Sequence, residues 1–92
     1  MILLVDLQMG RAEQYIYQCD DSGKSTKIAA ADMQGIGEVL YALYQHVKPE
    51  VAYIKGPRSL AVKIREDACR TQLNFDNSDV ELNIKLYNGE EE

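Results

Sequence analysis

At 92 residues the chain has room for one hydrophobic core, so it is expected to form a single domain, 1–92, of modest stability. Hydrophobic residues make up 46% and charged residues 27%, a globular balance that argues against disorder. Lys and Arg number 10 against 15 Asp and Glu, so a phosphate backbone is repelled unless the few bases cluster, and nucleic acid is not expected as a partner.

Ile2 to Leu7 is a continuous apolar run with a polar break after it, the pattern of a strand covered on both faces. Gly10 permits a turn, and Ala12 to Cys19 then alternates, with Glu13, Tyr15 and Tyr17 on one side. Asp20, Asp21, Ser22 and Gly23 spell a hairpin turn, because Asp and Gly tolerate positive φ. Ser25 to Ala31 returns as a third strand with Thr26, Ile28 and Ala30 set against Lys27. Asp32 is placed to cap a helix that runs to about Lys48, where Pro49 stops it. Its core stripe is Met33, Ile36, Leu40, Leu43, Tyr44 and Val47. Val51 to Lys55 is a fourth strand, followed by a Gly56-Pro57 turn and Ser59 as the expected cap of a second helix reaching about Leu73. That helix carries Leu60, Ala61, Ile64 and Ala68 on one side. Asn74 to Asp79 forms a polar loop, and Val80, Leu82, Ile84 and Leu86 alternate with polar residues in a fifth strand. Residues 87–92 are expected to be a disordered, solvated acidic tail.

The order β-β-β-α-β-α-β implies an α/β fold. An antiparallel meander comes first, and right-handed crossovers then set strands one, four and five in parallel. The predicted product is a mixed five-stranded sheet of order 3-2-1-4-5 with two helices, the ribonuclease H-like arrangement that actin-like proteins share.

Within that superfamily, Leu3, Leu4, Val5 and Asp6 at the end of the first strand, with Gly56, Pro57, Arg58 and Ser59 after the fourth, carry a further resemblance. In these two places the chain resembles the N-terminal half of the inactive partner subunit of bacterial tRNA threonylcarbamoyladenosine synthesis. The family continues as Gly-Ser-Phe-Thr-Gly where this chain has Ser59, Leu60, Ala61 and Val62, and it has a second lobe not present here. The resemblance implies a non-catalytic lobe that associates with other subunits through its helices.

A metal nuclease on this fold needs carboxylates that converge on paired ions. Asp6 stands where the first would be, as a possible vestigial acid, but Lys55 occupies the place of the second. Asp6 is expected instead to cap a turn or pair with Lys55. Lys55, Gly56, Arg58 and Ser59 at a helix start could bind phosphate or a nucleotide, although Pro57 withholds one N–H donor. The favoured reading is structural: Gly56 allows the turn, Pro57 stiffens it and Ser59 caps the helix. His46, near a helix end, can interact with the dipole but has no nucleophile set beside it by sequence. The six tyrosines read as core or rim residues. Cys19 and Cys69 match no metal or redox spacing and are expected to be free thiols. No catalytic residue, metal site or cofactor is expected. Asp6 cuts short any signal-like run, and no stretch approaches a membrane span, so a cytoplasmic protein is expected.

The helices carry a second set of apolar or small positions. Gly35, Val39, Ala42 and His46 form one stripe; Val62, Cys69 and Leu73 line up on the other helix. Gly35 and Gly37 each cost about 1 kcal/mol relative to alanine inside a helix, which implies that something approaches the backbone closely. The leading expectation is a non-catalytic module that works by protein–protein association, as a homodimer through its two helices. A small phosphate- or nucleotide-binding protein comes second, and a degenerate metal nuclease third.

Overall fold

The structure, a computed structural model, describes residues 1–75 and 81–87. The expected tail, apart from Tyr87, lies outside them, as does Val80. The elements are β1 (Ile2–Asp6), β2 (Gln14–Cys19), β3 (Ser25–Ala31), α1 (Ile36–Val47), β4 (Val51–Lys55), α2 (Arg58–Asn74) and β5 (Ile84–Leu86). They form an α/β fold with one mixed sheet of order β3-β2-β1-β4-β5. β1 pairs antiparallel with β2 and parallel with β4, and β5 adds parallel to β4. This is the predicted topology.

Successive crossovers move in one direction along the sheet, from β1 to β4 to β5, so right-handedness puts both helices on the same side. Leu3 and Val5 of β1, Ile16 of β2, and Ala52 and Ile54 of β4 are buried with Ile36 and Leu40 of α1 and Ile64 of α2. The expectation that β1 is covered on both faces is therefore corrected. Ile2 and Leu4 point to the other side and are only half-buried, because no helix among the described residues lies there.

Local differences have local causes. The hairpin turn forms as expected, with the Asp20 carboxylate accepting from Ser22 Oγ at 2.6 Å, Lys24 N at 2.9 Å and Ser22 N at 3.0 Å. These bonds, that from the Ser22 hydroxyl foremost, hold its carboxyl below the usual range. β3 has a bulge: Ile16 pairs with Ala29 and Tyr17 with Lys27, leaving Ile28 as the extra residue. The predicted grouping of Thr26, Ile28 and Ala30 on one face is thus broken; Ile28 packs against the core while Lys27 turns to the open side. The Asp32 carboxylate accepts the Gly35 N–H at 2.9 Å, but residues 33–35 make a turn and α1 proper starts at Ile36. Ser59 is not a cap. α2 begins two residues earlier, at Arg58, with Pro57 as N-cap and no side-chain capping bond. β5 is shorter than predicted, and Tyr44 Oη accepts the Asn83 N–H at 2.9 Å just before it. Among the described residues no helix is long and apolar enough to cross a membrane.

The helix glycines have different explanations from the expected one. Gly35 is the N-cap of α1. Gly37 is buried against α2, where an added Cβ would stand 2.5 Å from Asp67 Cβ and 3.2 Å from the Ile64 carbonyl. The close approach is the chain's own second helix, not a partner. Gly37→Ala should recover about 1 kcal/mol of helix propensity but incur an overpacking cost of about 1–3 kcal/mol. A net loss of stability, read as a lower urea midpoint, is expected.

α1 ends as Pro49 requires, with Lys48 in the left-handed conformation at φ 55° and its N–H bonded to the Tyr44 carbonyl at 2.9 Å. A side chain there costs roughly 1 kcal/mol. Lys48→Gly should raise the melting temperature by about 4–8 °C if that strain is fully released.

Candidate functional site

Two regions gather the residues that the sequence singled out. The first is the carboxyl end of β1 and β4, where open α/β sheets place ligands. Asp6 and Lys55 are neighbours in register there. Asp6 nonetheless pairs with Arg11, at 4.0 Å, and accepts from Gln8 Nε2 at 3.3 Å. Arg11 also donates to the Asp6 carbonyl, to the Glu13 carbonyl at 2.8 Å and to Gln14 Oε1 at 3.5 Å, and its guanidinium lies 4.0 Å from the Tyr15 ring centroid. The expected pairing of Asp6 with Lys55 is therefore replaced by one with Arg11. Lys55 lies across the sheet edge instead, 5.7 Å from the Tyr87 centroid.

Gly56 owes its identity to the fold. Its φ is +146°, and a Cβ there would meet Leu7 Cβ at 2.8 Å and the Leu7 carbonyl oxygen at 3.0 Å. The Ala61 N–H already bonds to Pro57 O at 2.9 Å. Arg58 and Ser59 are exposed on the first turn of α2, and Arg58 is itself engaged in an interaction. The four residues of the expected anion site are thus divided between a sheet edge, a packed turn and a helix start. Among the described residues no group of three His, Cys, Asp or Glu side chains is placed to hold a metal ion.

The residue that organises this end is Gln14, which sequence reading assigned to an ordinary strand face. It is 2% exposed. Its Oε1 accepts the Gln8 N–H at 2.8 Å, and its Nε2 donates to the carbonyls of Arg11 at 3.1 Å and Gln8 at 3.3 Å. One amide thereby ties down the connection between β1 and β2 and starts β2 at Gln14 instead of Ala12. Only its polarity among apolar neighbours could have marked it in the sequence.

The second region is the outer face of the helix pair. Ala42, His46, Cys69 and Leu73 are exposed there, Leu73 at 78%. Val39 and Val62 are half-buried, and Val39 packs against the core. Gly35 sits at the helix start, away from any continuous stripe. What the sequence did not show is a groove of about 440 Å³ between the helices, lined by Glu38, Tyr41, Ala42, Gln45, Thr71 and Phe75. Phe75 is 69% exposed and stacks on Tyr41, centroids 6.0 Å apart and planes 9° from parallel. Tyr41 is 3% exposed, and its buried hydroxyl has no hydrogen-bond partner among the described residues. Both cysteines are free, and Cys19 Sγ lies 3.3 Å from Ser25 Oγ on the sheet.

Comparison with protein-family models, with curated proteins and with solved structures returned no match.

Gln14→Leu keeps the volume and deletes the clamp, so the Gln8 N–H and the Arg11 carbonyl lose their partner. A loss of about 2 kcal/mol is expected. Faster amide exchange at Gln8 should accompany it, while exchange in the helices follows only the global change.

Proposed function

We propose that this chain is a non-catalytic module of ribonuclease H-like topology that acts by protein–protein association, as a homodimer through the outer face of α1 and α2. The observation that carries the reading is the apolar groove between the helices, with Phe75 69% exposed in its wall and stacked on Tyr41. Phe75 and Leu73 stand exposed at the C-terminal end of α2, with Phe75 in the groove wall. Large apolar side chains grouped on a surface are the usual anchors of an interface.

A second copy is the occupant that fits the charges. The neighbouring surface carries both signs: Glu38 on α1 makes no ion pair among the described residues, while Arg70 and Lys63 on α2 share Asp67, each at 2.9 Å. A two-fold interface must be self-complementary, and such a face allows one copy's Glu38 to meet the other's Arg70. The order of elements and the resemblance at Leu3–Asp6 and Gly56–Ser59 point the same way. Of the residues named for phosphate binding, Gly56 packs against Leu7 and Arg58 is engaged elsewhere, and no specific observation favours that alternative.

Sedimentation of the full chain should show a dimer. Ala42→Glu, at an exposed position in the groove, should give a monomer with an unchanged melting temperature. A wild-type chain that stays monomeric at its highest soluble concentration overturns the homodimer.

A further inference from the structure

The sheet surface opposite the helices is a separate feature. Its side chains form rows that can be read from the pairing. Lys27 on β3 is opposite Tyr17 on β2, Tyr17 opposite Leu4 on β1, Leu4 opposite Tyr53 on β4, and Tyr53 opposite Lys85 on β5. Five strands at about 4.8 Å spacing make that row roughly 19 Å long. It is apolar and aromatic at the centre and cationic at both ends. Ile2 and Val51 extend the apolar centre on one side; Asp6, held by Arg11, and Lys55 follow on the other. Leu4, Tyr17 and Tyr53 are half-buried, whereas Lys27, Lys55 and Lys85 are exposed.

The charge balance of the whole chain hides this surface. Among the described residues of the open sheet face, Lys27, Lys55 and Lys85 outnumber Asp6.

We infer that this face is a docking site for an acidic amphipathic helix of another protein, lying along the strands with its apolar stripe on Leu4, Tyr17 and Tyr53 and its carboxylates reaching Lys27 and Lys85. A helix about 10 Å across fits between rims roughly 19 Å apart, with room for acidic side chains on both flanks. β1 is apolar at Ile2, Leu3, Leu4 and Val5, the composition of a strand covered on both faces, and among the described residues the helices cover only one. A second copy stacked face to face would bring lysine rim against lysine rim. Nucleic acid bases would need open ring faces. Tyr15 instead already carries Arg11 and Lys27 at 4.0 and 4.2 Å from its centroid, and Tyr53 meets Tyr87 edge-on at 86°.

The test titrates the full chain, by calorimetry and by amide shifts, with a designed helical peptide about four turns long that has a Leu stripe flanked by Glu on both sides. Saturable binding is expected, with shifts at Leu4, Tyr17 and Tyr53. The K27E/K85E variant, changed only at exposed rim positions, should keep its fold by circular dichroism and bind about tenfold more weakly or worse. It should gain affinity for the matching Lys-flanked peptide. Ala42→Glu should bind the acidic peptide as the wild type does, so failure of the homodimer and failure of this inference are separable. No binding, equal binding of the acidic and basic peptides, shifts confined to the helices, or displacement of the peptide by a single-stranded oligonucleotide would each overturn the proposal.

Discussion

The two helices can share one face of the sheet because α1 has no side chain at the point where it meets α2. At Gly37 the helices approach until Asp67 and the Ile64 carbonyl occupy the space a Cβ would need. That approach packs Ile36 and Leu40 beside Ile64 over the β1–β4 pair and joins them into one buried cluster. For a domain this small, splitting two helices between two sheet faces would leave two thin layers, each with little apolar area to bury. Concentrating both on one side makes a real core and leaves the other face of the sheet without a helix among the described residues.

The uncovered face and the outer helix surface are chemically different. The helix side carries both signs of charge around an apolar groove, which suits a surface that must match itself. The sheet side has an apolar centre and basic ends, which suits something acidic and unlike itself. The bulge at Ile28 matters to this contrast, because without it Lys27 would pair with Gln18 on the helix side. One extra residue keeps a hydrophobic side chain in the core and places a cation on the open face.

At the carboxyl end of β1 and β4, where open α/β sheets place ligands, several described side chains are tied to one another. Arg11 occupies Asp6, Gln14 holds the connection that carries Arg11, and Leu7 closes against Gly56. Each group is committed to a neighbour in the chain. An acid that is ion-paired and hydrogen-bonded on arrival is a poor starting point for metal binding or general-base work, which need an available lone pair.

Much of the fold was legible in the residues. Period-two alternation in Tyr15 to Cys19, the Asp20–Gly23 turn, the helical stripe through Ile36, Leu40 and Tyr44, and the stop at Pro49 depend on local sterics and hydrogen bonding, which neighbours in sequence decide. Given that order of elements, crossover handedness led to the strand order 3-2-1-4-5. Long-range packing decided the rest. That Gly37 serves α2 and not a partner, that Asp6 meets Arg11 and not Lys55, that Gln14 is a clamp and that Tyr41 and Phe75 wall a groove all depend on residues brought together from distant parts of the chain or around a loop. No periodicity encodes such meetings, because they are set by how whole elements settle against each other once the apolar surface is buried.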